Sequence, residues 1–265
     1  MPFVSIVLIG DVERPEFCGV TGFFESLGQV HRFRDAVAAA EVLASGEIIA
    51  DLTVVAQSYP GEFSHATIDR LHAASPVSRI VALLGSWCEG ELRSGQPWPA
   101  VIRLYWHQGL GRIAREIQRL AEGGCPSWGL PLTATEEERL LAERKTGFQP
   151  IARNSLVGIA ARRSESFDWL SAACRQHGSP TVWLRSPRYP RVEGLTAILI
   201  DGTDFGVIET AMLRQLSERY SQARRIALMD FPRIEDRERL LRAGADAVIS
   251  KPVSVEDLFE VGLGS

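Results

Sequence analysis

The chain lacks most of the devices that would declare a chemistry. Its 265 residues hold four cysteines, at 18, 88, 125 and 174, and no C-x-x-C pair. That excludes a zinc ribbon or a dithiol redox centre and fits reduced thiols in the cytoplasm. There is no G-x-x-x-x-G-K-[ST] loop, no G-x-G-x-x-G turn after a first strand and no G-x-S-x-G elbow, so a nucleotide cradle and a hydrolase nucleophile have no sequence support. Basic residues do not predominate: 29 Lys and Arg against 33 Asp and Glu leave a net charge of −4, the wrong sign for a non-specific nucleic-acid binder. The N-terminal apolar run, Phe3 to Ile9, stops at Gly10-Asp11. It is too short to span a membrane and has the wrong flanks for a signal peptide.

What the chain does have is a repeated alternation of short apolar runs and amphipathic stretches, the pattern of an open parallel sheet covered by helices. It occurs twice. Strands are predicted at Val4–Ile9, Gln29–Phe33, Leu52–Ala56, Ile80–Leu84 and Val101–Trp106. They recur at Leu156–Ala160, Thr181–Leu184, Ala197–Ile200, Ile226–Met229 and Ala247–Ile249. Helices are predicted at Phe17–Leu27, Asp35–Ser45, His65–Ala74 and Leu110–Ala121, then at Phe167–Gln176, Val207–Tyr220 and Ile234–Ala243, with a short last one from Ser254. Residues 123–154 read as a connection. Gly123-Gly-Cys-Pro is irregular, and Thr135-Glu-Glu-Glu138 has the spacing of a capping box opening one helix.

The most specific stretch is Ala243-Gly-Ala-Asp-Ala-Val-Ile-Ser-Lys251-Pro252, read as a helix end, an apolar strand and a Lys-Pro pair. It resembles the close of bacterial response-regulator receiver domains. The resemblance covers most of 155–262 and implies a phosphate site. In that family an acidic pair, a phosphoacceptor Asp, a Ser or Thr, and a Lys followed by a Pro converge at the sheet's mouth around a magnesium ion. The metal offsets the repulsion between an attacking carboxylate and an anionic phosphate.

Here Asp201 matches the phosphoacceptor and Lys251-Pro252 match the final pair. Ala160 and Ala161 stand where the acids should be, and Met229 stands where the hydroxyl should be. Asp204 and Asp230 are candidate substitute acids. The plain alternatives are that Asp201 only opens a turn and that Lys251 only pairs with it.

The first half carries the same resemblance more faintly. Ala56 falls at the phosphoacceptor position, Asp11 matches one of the acids with Gly10 in place of the other, Leu84 replaces the hydroxyl, and Trp106-His107-Gln108 follow the last strand without a Lys-Pro. The fourth helix is replaced by a loop rich in breakers and tryptophan, and Trp87, Trp98, Trp106 and Trp128 cluster around it. Trp87, Cys88, Glu89, Trp98, Trp106 and His107 are the candidate partner or ligand surface. Local core is the competing reading of the same rings.

The expectation is therefore α/β: two flavodoxin-like, doubly wound, five-stranded parallel sheets in tandem. A degenerate receiver-like domain at 1–122 is joined by 123–154 to a second at 155–265. The expected function is non-catalytic signalling or scaffolding in the cytoplasm through a protein partner. No cofactor or metal is expected, save magnesium if Asp201 is phosphorylated, and neither nucleic acid nor membrane is bound. A homodimer, a phosphorylated regulator using Asp201, and a small-molecule binder or enzyme centred on Trp87–His107 remain open alternatives.

Overall fold

The computed structural model describes residues 4–91, 95–121, 127–130, 135, 138, 155–185, 192–251, 253, 255, 258 and 259. The chain divides into two compact units, 1–147 and 148–265.

Unit 1 is a five-stranded parallel sheet. Its strands are β1 (Val4–Ile9), β2 (Gly28–Phe33), β3 (Leu52–Gln57), β4 (Arg79–Leu84) and β5 (Ile102–Tyr105), in the order β2-β1-β3-β4-β5. Helices α1 (Val20–Leu27), α2 (Ala36–Ser45), α3 (His65–Ala74) and α4 (Trp106–Ala121) connect or follow them. All six residues of β3 are buried, because a central parallel strand is covered on both faces. On one face Val7, Ile9, Val55, Ala82 and Leu84 pack with Ala36, Ala39, Ala40 and Leu43 of α2 and Ile68 and Leu71 of α3.

Local signals fix the helix ends. Asp35 accepts the Val37 and Ala38 amides at the start of α2 and Ser64 accepts the Thr67 amide at the start of α3. Each cap satisfies donors that the first turn leaves over.

Unit 2 repeats the plan. Strands β6 (Leu156–Ala160), β7 (Thr181–Trp183), β8 (Leu195–Asp201), β9 (Arg224–Asp230) and β10 (Ala247–Lys251) run in the order β10-β9-β8-β6-β7. Helices α5 (Ser164–Gln176), α6 (Val207–Arg219) and α7 (Ile234–Arg242) complete its described helices. Ile198, Ile200, Ala227 and Met229 pack under Leu213 and Leu216 of α6. Val157, Ile159, Leu199 and Leu228 pack under Leu170, Ala173 and Cys174 of α5. Numbered within each unit, both sheets read 2-1-3-4-5, the flavodoxin-like doubly wound order in which ligands meet the carboxyl ends of the strands.

Three helix starts differ from the sequence reading by three residues or more, that of α5 lying at Ser164 instead of Phe167. The stretch expected as one helix over Phe17–Leu27 is a 3-10 turn at Pro15–Phe17 followed by α1, because Gly19 takes a left-handed φ of 84° between them. The last helix of unit 1 begins at Trp106 rather than Leu110: the strand pairing ends where Tyr105 meets Leu84, and Gly109 lets the new helix sit against Leu83.

Between β4 and β5 the described residues hold a 3-10 turn at Ser86–Cys88. In the connection, Thr135 and Glu138 exchange reciprocal backbone bonds, Thr135 N–H to Glu138 Oε2 at 2.8 Å and Glu138 N–H to Thr135 Oγ1 at 3.2 Å. That is the expected capping box. The helix body beyond Glu138, Cys125, Arg93, Pro252 and Ser254 lie outside the described residues. No described helix is long and apolar enough to cross a membrane.

Candidate functional site

The motif that dominated the sequence is a strand anchored at both ends. Gly244, at φ 107°, ends α7 and donates to Leu241 O. A Cβ there would meet Ser217 Oγ at 2.6 Å. Asp246 then takes the Arg225 guanidinium in two bonds of 2.8 Å and the Arg225 backbone N–H at 2.7 Å. Burial alone would raise the Asp246 carboxyl, but these bonds and the charges of Arg225 and Arg224 outweigh it and hold the carboxyl below the ordinary aspartate value. From this pin β10 runs in register with β9, Ala247 against Ile226 through Lys251 against Asp230.

The register delivers Lys251 to the sheet's carboxyl end beside two acids. Its Nζ lies 2.9 Å from Asp201 Oδ1, 3.0 Å from Asp230 Oδ1 and 2.7 Å from Gly202 O. Burial lowers the ammonium's pKa, but the hydrogen bonds and charges of Asp201 and Asp230 more than offset this and leave it above the ordinary lysine value.

The loops around the triad are tied to one another. Gly202 N–H donates to Leu228 O and Asp230 N–H to Thr203 O, both at 3.0 Å. Arg239 of α7 donates to Phe205 O at 2.6 Å. Gly202 is required because a Cβ would strike the Phe205 ring at 2.6 Å. Phe205 and Phe231 both take left-handed φ values, 47° and 44°, a conformation that costs a non-glycine residue about 1–2 kcal/mol. Phe205 is fully buried and Phe231 is exposed.

The other positions of the family pattern are filled differently. Ala160 and Ala161 are buried at the end of β6 and Met229 is buried in the core under α6. Arg162, the next residue after them, pairs with Glu209 of α6 at 2.9 Å. Sequence reasoning named Asp230 as a spare acid without a matching position; the pairing of Asp230 with Lys251 gives it one. Asp204 contributes its carbonyl to Arg239.

In unit 1 the corresponding mouth is closed. Val55 pairs Ala82 and Ile9 in β3 as Ile200 pairs Ala227 and Ala160 in β8. This places Ala56, fully buried, at the level of Asp201. Gly10 has a φ of 111°, and a Cβ on it would lie 2.5 Å from Ala56 O, so no acidic side chain fits there. Just beyond, Gln57 and Ser58 are wholly buried. The Gln57 amide donates to Tyr59 O at 3.1 Å and Glu91 Oε1 at 3.4 Å. Glu91 is clamped by Arg103 at 2.5 Å. These two polar residues escaped sequence reasoning; the only signal was that they continue a strand that is apolar apart from Thr53.

The six residues expected to make one Trp-rich surface do not make one. Trp87 is exposed, whereas Cys88, Trp98 and Trp106 are buried. Trp98 packs edge-on to Phe63 and donates to its carbonyl at 3.2 Å. The Cys88 thiol donates to Gln57 O at 3.4 Å. Burial and the nearby Glu91 push its pKa up to about 12, and no hydrogen bond joins it to His107 among the described residues. His107 lies 3.4 Å from Glu89 and stacks on Tyr105. No group of three or more His, Cys, Asp or Glu among the described residues is placed to hold a metal.

No family model matches the chain, and no curated protein matches it. Solved structures do. A response regulator from Thermotoga maritima is 19% identical and covers 40% of this chain and 92% of its own, with a TM-score of 0.36. A CheY-like receiver domain protein from Methanospirillum hungatei JF-1 is 20% identical over 40% of this chain and 88% of its own, with a TM-score of 0.34. A two-component system response regulator/GGDEF domain protein is 15% identical over 96% of this chain and 94% of its own, with a TM-score of 0.36. The fold rests on the strand order itself: each unit is a flavodoxin-like 2-1-3-4-5 sheet, and the solved structures the chain is similar to are response-regulator proteins.

Proposed function

We propose that the protein is a non-catalytic signalling or scaffolding module of response-regulator type, working in the cytoplasm through contacts with a protein partner and without phosphorylation of Asp201. The observation that carries this reading is the position of the Lys251 ammonium. It already sits among Asp201, Asp230 and Gly202 O, supplying from the chain itself the positive charge that a metal ion would otherwise bring to two carboxylates.

The same mouth offers a contact surface. Val207 and Ile208 open α6 and Phe231 follows Asp230, and all three are exposed, Phe231 by 63%. An aromatic ring held outward in a strained backbone conformation, beside tied loops, suits a partner's apolar face.

The test replaces the chromosomal copy with Asp201→Asn or Phe231→Asp. Cells carrying Asp201→Asn should behave as wild type while Phe231→Asp, folded by circular dichroism, abolishes function. Loss of function in Asp201→Asn with a silent Phe231→Asp would favour a phosphorylated regulator instead.

A further inference from the structure

Asp11, singled out in the sequence as a partial match to an acidic pair, is not absorbed by the closed mouth of unit 1. It lines a separate hollow of about 230 Å³ at the carboxyl ends of β1 and β2, together with Gly10, Glu13, Arg32, Phe33 and Arg34. We propose that this hollow binds a small zwitterion with an apolar body, of the size and kind of a free amino acid. The proposal is independent of the function assigned to unit 2.

The floor of the hollow is fixed by the sheet. Ile9 pairs Phe33 on the last rung, and Gly10 N–H donates to Phe33 O at 2.9 Å. Beyond that rung the two chains separate, one carrying Asp11 to Glu13 and the other Arg34. Gly10 has no room for a side chain, so the base is open backbone. Phe33, half-buried against the core, is an apolar wall.

The charges are sorted. Arg32 is neutralised by Glu13 at 2.6 Å. That leaves one carboxylate, Asp11, and one guanidinium, Arg34. Neither has an ion pair or a side-chain hydrogen bond among the described residues, although both line the same hollow. An anion alone would answer Arg34 and leave Asp11 repelling it; a cation alone would do the reverse. A molecule bearing both an ammonium and a carboxylate satisfies both with charge-assisted hydrogen bonds. The volume falls below the 300–1,000 Å³ common for drug-sized ligands, which limits the body to a short side chain against Phe33.

The test is an amide-resonance titration of the full chain with L-leucine and L-phenylalanine at millimolar concentration. N-acetyl-leucine, which lacks the ammonium, and leucine amide, which lacks the carboxylate, serve as half-ligands. The expected result is saturable shifts in residues 10–13 and 33–35 with either amino acid. Asp11→Asn and Arg34→Gln, both at exposed positions, should each weaken binding at least about tenfold, and both half-ligands should bind correspondingly worse. Three results would overturn the proposal: no shifts with either amino acid, N-acetyl-leucine binding as well as leucine, or binding that survives both substitutions.

Discussion

Replacing Lys251 with methionine keeps most of the side chain's length and removes its charge. Asp201 and Asp230 then face each other without a cation. Both lie within 3.0 Å of one ammonium, so their near oxygens are no farther apart than about 6 Å, a range in which like charges raise a carboxyl's pKa. The side chains of Lys251, Asp201 and Asp230 are 25, 18 and 39% exposed. The loss therefore falls between that of a surface pair, about 0–1 kcal/mol, and that of a buried pair with one partner removed, about 3–5 kcal/mol. An intermediate value of about 2 kcal/mol at neutral pH is expected. The deficit comes from two like charges left facing each other, so it should be smaller in acid, where carboxylates take up protons, than at neutral pH.

The wild type behaves differently. Its Lys251 pKa is raised above 10.5, so its contribution is complete throughout the neutral range and is lost only as pH climbs through the folded value in the alkaline range. The assay is hydrogen exchange across 195–201 and 224–230 in a urea series at two pH values. Adding Asp201→Asn to Lys251→Met should restore part of the lost protection. A Lys251→Met protein as stable as wild type at neutral pH, or one whose deficit does not change with pH, would refute the reasoning.

Other outcomes follow from the same geometry. Gly10→Ala should cost more than about 2 kcal/mol in urea unfolding of unit 1, from the clash with Ala56 O and the left-handed backbone together. Trp98→Ala should cost about 3–5 kcal/mol and Trp87→Ala less than about 0.5 kcal/mol, read by the same unfolding curves. In the folded protein at neutral pH, alkylation mapped by peptide mass should mark the exposed Cys18 while sparing Cys88 and Cys174, whose pKa values are pushed up to about 12 by burial.

The architecture was readable because it depends on periodicity. All ten strands were placed within two residues at each end from apolar runs alone. Asp201 and Lys251 were readable as a pair because the Lys-Pro pattern is specific. What the sequence did not carry was register. Asp230 could be named but not placed until its pairing with Lys251 fixed which acid the ammonium meets. Packing was equally hidden: tryptophan clusters serve surfaces and cores alike, and the sequence does not show that Trp98 and Trp106 are buried while Trp87 is exposed. Gln57 and Ser58 were invisible for the same reason, since a polar residue after an apolar strand ordinarily signals exposure.

The central claim is that Lys251 neutralises Asp201 and that the site works without a phosphoryl group. The most direct measurement is the intact mass of the full chain, wild type and Asp201→Asn, after incubation with magnesium and a small-molecule phosphodonor. The account predicts no added phosphoryl mass on either protein. A single phosphoryl addition to the wild type that is absent from Asp201→Asn would contradict it.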